Sequence, residues 1–433
     1  MTDTNDICAV CGTRHTPVAT EISTGRGIAG GVLNNWLKKA GYGNVLLIAD
    51  INTSHIAHRI KQSLTHTPAE IFICGGKSLV PDETAVERLL QAIEENVYGA
   101  LIAAGSGTLS DLTRFAAHKN NIPFYTVATA ASMDGYTSSI SPLIKNGLKL
   151  TFPASAPLGV IGDEDILETA PPAMASAGFG DITGKFTSVL DWELEYIMTG
   201  GRADYCEKLA SDMRAVVKSC RDCKEINNGA VIKALLESGL VMQRAGHSKP
   251  ASGSEHHLSH FWEMMALSRG EAAVLHGAKV GVAALISLRV YEWLAESAPD
   301  WAEAERRAER FNRALWHSEI RRVYGGAAEG ILSQWPDESA ENALKNLETL
   351  RARWGLITAA VKRGLPSYNE VKEDLLRMGC PVSPTDIGIN KGDFLNGVLH
   401  AQRIRPRFTI WRAADILGLL PEYAARLADE FYQ

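Results

Sequence analysis

The sequence predicts two domains, an N-terminal α/β domain over residues 1–165 and an all-helical C-terminal domain over residues 166–433. A chain of 433 residues is too long for one simple core. Before residue 165, short apolar runs alternate with helical periodicity, which is typical of a mostly parallel sheet covered by helices. Beyond that border the apolar runs give way to long amphipathic patterns, as expected for packed helices.

The strands of the N-terminal domain are predicted from short, continuously apolar runs. A parallel strand that is covered on both faces has no polar side, and Val45-Leu46-Leu47-Ile48-Ala49 fits that description. Strands are predicted over 45–49, 69–74, 100–104 and 123–129, with further candidates at 148–152 and 158–161. Helices are predicted over 82–96 and after the glycines at 105 and 107, and a polar loop over 130–141.

The C-terminal domain is predicted as a series of amphipathic helices, because apolar residues recur there at helical spacing. The predicted helices cover 179–199, 203–219, 228–246, 256–268, 274–294, 301–316, 339–361 and the segment after 413.

Composition and charge restrict the class of function. The net charge of -6 provides no basic surface for nucleic acid, and no apolar run approaches the length of about 20 residues that a membrane span needs. The polar N-terminus does not resemble a signal peptide. Seven cysteines, an odd number in a long chain, argue against a disulfide framework and favour a reducing cytoplasm.

Two CxxC pairs, Cys8 with Cys11 and Cys220 with Cys223, allow two interpretations. Together they would offer four thiolate ligands to a structural zinc ion. The pairs are about two hundred residues apart, however, and lack the compact spacing of a zinc ribbon. Thiols without a metal are therefore the default interpretation.

A glycine-containing loop, Gly105-Ser106-Gly107-Thr108, follows a predicted strand and begins a predicted helix. Glycine lets a phosphate approach the backbone, and a helix N-terminus offers N–H donors and a favourable dipole. This context favours a Rossmann-like dinucleotide site over a simple tight turn. Asp50, at the end of an earlier strand, is placed to bind a ribose hydroxyl and to favour NADH over NADPH. The alternative role for Asp50 is a helix cap.

Three histidines and one aspartate are candidate metal ligands. His256 and His260 are four residues apart, so a helix presents both on one face, and His276 follows in Leu-His-Gly. Asp181 precedes Lys185 by one helical turn, and the ordinary interpretation of that spacing is a surface ion pair. The glycines around Asp181 also allow a carboxylate ligand. One carboxylate and two imidazoles would leave a metal with open positions, as catalysis requires. The alternative for the histidines is a polar helix surface.

Several stretches resemble the sn-glycerol-1-phosphate dehydrogenase family, a branch of the iron-containing alcohol dehydrogenase, glycerol dehydrogenase and dehydroquinate synthase superfamily. Thr-Ala-Ala-Ser-Met-Asp-Gly-Tyr and Gly-Ser-Glu-His are the more specific motifs, and the resemblance covers nearly the whole chain. It implies a dehydroquinate synthase-like fold. The stretches are 105–108, 129–138, 177–185, 252–260 and 275–277.

The resemblance implies a role for each matching residue. It assigns Asp181, His256 and His276 to a divalent metal, either zinc, nickel or iron. Asp134 and His260 match substrate-binding positions, while Lys185 replaces a fourth metal ligand of some superfamily members. The residues that match contacts to NAD(H) or NADP(H) are Gly105, Ser106, Gly107, Thr108, Leu109, Thr129, Ala130, Ala131, Ser132 and Ser138.

The implied activity is the reversible reduction of dihydroxyacetone phosphate to sn-glycerol 1-phosphate, a small phosphorylated substrate. The metal polarises the carbonyl and the nicotinamide supplies hydride, with Asp181 and His260 as catalytic residues and His260 as the candidate proton relay. A glycerol dehydrogenase, a dehydroquinate synthase-like cyclase and a binding protein without turnover are the alternatives. A homodimer is expected from the frequency of that assembly. Arg403, Arg405 and Arg407 could meet the phosphate, although a solvated face is the ordinary interpretation.

Overall fold

A computed structural model describes residues 7–76, 79–145, 148–202, 204–271 and 274–432. Contacts between residues divide the chain into two compact units. Among the described residues, the first unit contains 7–8, 13–182 and 218–247, and the second contains 9–12, 183–217 and 248–432. Each unit is therefore built from three stretches that alternate along the chain.

The first unit is built on a six-stranded sheet with the order β1-β8-β5-β4-β2-β3. Every neighbouring pair of strands in it is parallel, as the sequence predicts. A separate antiparallel pair is formed by β6 and β7. The strands are β1 Glu21–Gly25, β2 Val45–Ala49, β3 Ala69–Ile73, β4 Ala100–Gly105, β5 Phe124–Ala128, β6 Ile140–Lys145, β7 Leu148–Pro153 and β8 Gly159–Asp163.

Helices cover both faces of the large sheet, so side chains from each strand alternate between two cores. Leu47 packs with Leu33 on one face, while Leu46 and Ile48 pack with Leu112 on the other. The helices between residues 29 and 183 are α1 Ala29–Ala40, α2 Ser54–Ser63, α3 Glu83–Glu94, α4 Gly107–Asn120, α5 Glu164–Leu167 and α6 Pro172–Thr183.

The remaining described elements are helical, as predicted for the second half of the chain. They are α7 Lys185–Thr199, α8 Glu207–Arg221, α9 Asn228–Ala245, α10 Ser254–Ser268, α11 His276–Glu296, α12 Trp301–Glu309, α13 Arg313–Tyr324, α14 Ala328–Leu332, α15 Ala340–Gly364, α16 Tyr368–Arg377, α17 Lys391–His400, α18 Ile410–Ile416 and α19 Leu420–Phe431. Of these, α9 belongs to the first unit and α10 to α19 belong to the second.

Several boundaries differ from the sequence prediction for identifiable reasons. Strands β1 and β6 were not predicted, because Glu-Ile-Ser-Thr-Gly has little apolar character and β6 contains Pro142. The predicted helix over 179–199 is two helices that meet at Gly184. The predicted helix over 301–316 is also two helices, since the Asn312 side chain accepts from the Leu315 N–H and begins a new one.

The parallel sheet determines where the candidate cofactor residues lie. Strands β2, β4 and β5 are neighbours that run in one direction, so their carboxyl ends share one edge of the sheet. Asp50, Gly105 and Thr129 lie at those three ends. Crevices at the carboxyl ends of parallel strands are the usual ligand sites of such sheets.

No helix among the described residues is long and apolar enough to cross a membrane. All seven cysteines are described, and none forms a disulfide bond.

Candidate active site

The glycine loop lies between strand β4 and helix α4, as the sequence predicts. Gly105 ends the strand, and Ser106 is the N-cap of α4 without using its side chain as a cap. A Cβ at position 105 would lie 2.5 Å from the Cβ of Leu109, so only glycine fits there. The N–H groups of the first turn of α4 are therefore placed at the sheet edge to receive an anion.

Asp50 lies in the turn between β2 and α2. Its Oδ1 atom accepts hydrogen bonds from the backbone N–H groups of Asn52 and Thr53, both at 2.9 Å. This oxygen therefore fixes the turn, while the N-cap of α2 is Thr53 rather than Asp50. A contact of Asp50 with a ribose stays a prediction.

The segment from Thr129 to Ser138 follows β5 and lies against the glycine loop, because the Thr129 N–H donates to the Gly105 carbonyl at 3.2 Å. Its side chains from Thr129 to Ser132 are buried. The Tyr136 hydroxyl donates to the Ala130 carbonyl at 2.6 Å, which closes the segment on itself. Ser138 is partly exposed and accepts from the Ile140 N–H.

A fully buried arginine holds the far end of this segment. Arg114 on α4 donates to the carbonyl oxygens of Gly135 and Tyr136, at 2.6 and 3.1 Å, and also pairs with Asp111. Burial lowers the pKa of Arg114, opposed by Asp111. Arg114 was not predicted as a site residue, although its position on the apolar side of a predicted helix, next to Phe115, indicated it.

Asp134 and Asp181, which lie far apart in the sequence, are neighbours in the first unit. The Asp134 N–H donates to Oδ2 of Asp181 at 3.0 Å, and the Ser238 hydroxyl donates to the Asp134 carboxylate at 3.1 Å. A Cβ at Gly178 would lie 2.0 Å from the Ala131 carbonyl oxygen, so the glycine permits this approach of α6. Asp181 and Lys185 are both 0% exposed, which excludes the surface ion pair.

The three histidines form a cluster within the second unit. Ring centroids are 5.2 Å apart for His256 and His276, 5.7 Å for His256 and His260, and 5.8 Å for His260 and His276. Ring nitrogens of His256 and His276 lie within 4.8 Å of each other. His256 is buried, whereas His260 and His276 are partly exposed. The alternative of a polar helix surface is therefore wrong for His256.

Glu255 orients the His256 ring. Its Oε1 atom lies 2.7 Å from Nδ1 of His256, and its Oε2 atom accepts from the Thr187 hydroxyl at 2.5 Å. Nδ1 thus has a carboxylate partner, and Nε2 is the nitrogen available for a ligand. Burial is the main cause that lowers the pKa of His256 well below its usual range, followed by Lys185, His276, His260 and Arg405. The ring is therefore neutral, as a metal ligand must be.

Asp191 supports the start of α10. Its carboxylate accepts from the backbone N–H groups of Ser254, at 2.6 Å, and Ile410, at 2.8 Å, and from the Tyr291 hydroxyl. Burial raises the pKa of Asp191 to about 6, against the lowering effect of these donors. Burial and Asp191 also raise the pKa of Glu255 to about 7. Neither carboxylate was singled out from the sequence, although Glu255 stands next to His256.

The arginines near the C-terminus do not form a solvated face. Arg407 is half-buried and donates to the Ser252 carbonyl at 2.8 Å and to the Ser248 hydroxyl at 3.0 Å. Burial, and then Arg407, lower the pKa of Arg405 to about 10, so its guanidinium stays charged at neutral pH. Arg405 contributes positive charge to the surroundings of His256 and His257.

A family model and several curated relatives match this chain. The iron-containing alcohol dehydrogenase family model matches residues 26–171. A glycerol-1-phosphate dehydrogenase (NAD(P)+) of Bacillus licheniformis is 33% identical over 423 residues, which are 95% of this chain and 92% of the relative. A protein of the same name from Halalkalibacterium halodurans is 33% identical and is covered to 94%.

Solved structures confirm the fold class. The crystal structure of a probable glycerol dehydrogenase from Sinorhizobium meliloti aligns with a TM-score of 0.60 at 15% identity, over 94% of this chain and 97% of the other. At that identity the likeness establishes the fold alone. The curated relatives are about one third identical to this chain over nearly their whole length, and this likeness establishes the family as well as the fold. This chain belongs to the glycerol-1-phosphate dehydrogenase family.

Proposed function

We propose that this chain catalyses the reversible reduction of dihydroxyacetone phosphate to sn-glycerol 1-phosphate with NAD(H) or NADP(H). The observation that carries the proposal is the likeness to relatives named glycerol-1-phosphate dehydrogenase over 95% of the chain. The glycine loop, the buried carboxylate and the histidine cluster supply the kinds of group that this chemistry needs.

Asp181, His256 and His276 are the proposed ligands of one divalent ion. Each offers one ligand atom, either a carboxylate oxygen or an imidazole nitrogen. This donor set suits zinc, nickel or iron, and three protein ligands leave positions open for a substrate. The neutral His256 ring and its partner Glu255 fit the pattern in which a carboxylate orients a metal-binding imidazole.

When bound, the ion polarises the substrate carbonyl and the reduced nicotinamide supplies hydride to the carbonyl carbon. The chain itself must then bind the substrate and deliver a proton. His260 lies one turn after His256 on the same face of α10 and is partly exposed, so its imidazole can donate a hydrogen bond or a proton to the substrate oxygen. Asp134 is the second proposed substrate contact.

The cofactor pyrophosphate is proposed to bind at Gly105–Leu109, with further contacts from Thr129 to Ser132 and from Ser138. Support comes from the strand–glycine–helix geometry and from the absence of room for a Cβ at Gly105. Asp50 is proposed to favour NADH, since a carboxylate repels the 2′-phosphate of NADPH. Comparison of kcat/KM with the two cofactors tests this, and an equal or better value with NADPH contradicts it.

Arg405 is the proposed partner of the substrate phosphate. It adds positive charge around His256, and among the described residues no carboxylate pairs with it. A guanidinium is well suited to a phosphate, and a hydrogen bond to a charged group contributes about 1.5–3 kcal/mol. Arg405→Met should therefore raise KM for dihydroxyacetone phosphate about 10–100-fold and leave kinetics with unphosphorylated dihydroxyacetone unchanged. Arg322→Met, at an exposed arginine that pairs with Glu319, is the control.

One substrate comparison tests the whole proposal. The metal-loaded enzyme should oxidise sn-glycerol 1-phosphate faster than glycerol, and faster than the opposite enantiomer. Preferred oxidation of glycerol would establish a glycerol dehydrogenase instead. A cyclase that resembles dehydroquinate synthase would not consume NADH in proportion to the added ketone.

Assembly and compartment complete the proposal. A homodimer is the commonest symmetric assembly, and light scattering on the purified chain tests it. Seven cysteines without a disulfide suit a reducing cytoplasm.

A further inference from the structure

The first fifteen residues contain a motif that the proposed reaction does not use. Cys8, Cys11 and His15 follow the spacing C-x-x-C-x-x-x-H, and the first pair matches the ligand spacing of structural zinc sites. The sequence alone offered Cys220 and Cys223 as partners of the first pair. The structure instead places Cys11 beside Cys206, which directly precedes α8.

Distances within each unit support this association. In the second unit, Sγ atoms of Cys11 and Cys206 lie within 4.8 Å of each other. In the first unit, Sγ of Cys8 and a ring nitrogen of His15 lie within 4.8 Å of each other. The Cys8 N–H donates to the Thr13 carbonyl at 2.9 Å, which folds the segment into a turn around Cys11.

The exposure of the same segment is unusual. Between residues 7 and 15, the half-buried side chains are Cys8, Cys11 and His15, and every other side chain is exposed. Ile7 and Val10, which would normally pack inward, are 65% and 57% exposed. Hydrophobic burial therefore does not hold this segment in place, whereas its three potential ligands are its least exposed side chains.

We infer that Cys8, Cys11, His15 and Cys206 bind a structural zinc ion. Three thiolates and one imidazole complete a tetrahedral zinc site, so no position remains open for a substrate. The proposed catalytic set differs in kind, since one carboxylate and two imidazoles leave positions open. The role of the zinc is to fix residues 9–12 to the start of α8, in place of the missing apolar contacts.

Cobalt substitution separates this site from the catalytic one. The metal-free protein is reconstituted with Co²⁺, and the thiolate-to-cobalt charge-transfer band is recorded in the near ultraviolet. A set with three thiolates gives this band, whereas a set of one carboxylate and two imidazoles does not. Wild type should show the band, and Cys11→Ser and Cys206→Ser should each lose most of it. His256→Ala and the control Cys223→Ser should retain it.

Metal analysis of the zinc-loaded proteins provides the second readout. Wild type should contain about two ions per chain, and His256→Ala and Cys206→Ser about one each. No thiolate band in wild type, an undiminished band in Cys206→Ser, or a Cys11–Cys206 disulfide in protein purified under reducing conditions would overturn the inference. The wild-type spectrum is decisive even if a variant fails to fold.

Discussion

The variant Glu255→Gln tests whether the negative charge of Glu255 strengthens metal binding by His256, a proposed metal ligand. The amide has the same shape as the carboxylate, and its oxygen can still accept from the Gly253 N–H and from Nδ1 of His256, which lie 2.7 Å from Oε1. The amide nitrogen can donate to the Thr187 hydroxyl, which then turns its own proton from Oε2 to the Gly184 carbonyl, 2.8 Å away. Above a pH of about 7, where the Glu255 carboxylate is ionised, the variant therefore keeps the hydrogen bonds and removes the negative charge.

The expected loss follows from the strength of one hydrogen bond. A bond to a charged acceptor contributes about 1.5–3 kcal/mol and a neutral one about 0.5–1.5 kcal/mol, so the change costs roughly 1.4 kcal/mol. That difference corresponds to about tenfold weaker metal binding, the lower end of the range for partners of metal-binding histidines. The negative charge of Glu255 also makes His256 a stronger electron-pair donor to the metal, so removal of the charge weakens metal binding further.

The assay is competition for zinc between the enzyme and a chelator of known affinity, followed by activity at saturating metal. Glu193→Gln is the matched control, because Glu193 lies on α7 and pairs with Arg214 rather than with a histidine. Metal affinity that is equal in Glu255→Gln, Glu193→Gln and wild type would refute the assignment of Glu255 as the orienting group, and with it the reason given for the position of His256.

Three further predictions concern packing and protonation. Gly178→Ala places a Cβ against the Ala131 carbonyl, so it should lower the free energy of unfolding by about 1–3 kcal/mol. Both Tm and metal retention should fall, and an unchanged Tm contradicts the prediction. Arg114→Met removes the buried charge that pairs with Asp111 and donates to the Gly135 carbonyl, so the free energy of unfolding should fall by about 3–5 kcal/mol. Chemical denaturation measures this change, and a decrease below about 1 kcal/mol would disprove the structural role of Arg114. Burial lowers the pKa of His400 from 6.5 to about 4, so the unfolded chain binds this proton more tightly and acid favours unfolding. The free energy of unfolding should therefore fall as the pH drops from about 6.5 towards 4, by about 2 kcal/mol at pH 5. His400→Gln should flatten the dependence of Tm on pH in that range. An identical slope in the variant would exclude His400 as the cause.

The sequence predicted the central strands of the sheet well because their residues are apolar without interruption. Val45–Ala49 and Ala100–Gly105 are buried on both faces, and such a run has few other stable arrangements. Strand β1 was missed because Glu21 and Thr24 carry no apolar pattern; its position is determined by pairing with β8, which is distant in the chain. The division of 301–316 depended on one capping side chain, Asn312, that periodicity does not detect.

The candidate site was predictable where chemistry is local. The spacing of His256 and His260 placed both on one face of a helix, and the structure confirms that arrangement. The contact between Asp134 and Asp181 depends on the packing of α6 and on the lack of a side chain at Gly178, so no local pattern indicates it. The role of Glu255 depends on Thr187 and Asp191, which belong to another helix. Only the folded chain brings these groups together.

The close packing of Leu109 against Gly105 has a consequence for the rate of cofactor binding. Because the Leu109 side chain fills the space next to this glycine, contacts within the chain itself support the loop backbone. A loop that is already ordered loses little conformational entropy on association, so more of the interaction energy with a pyrophosphate remains as affinity. Association through this loop should then be limited by diffusion and orientation of the nucleotide, rather than by a rearrangement of the chain.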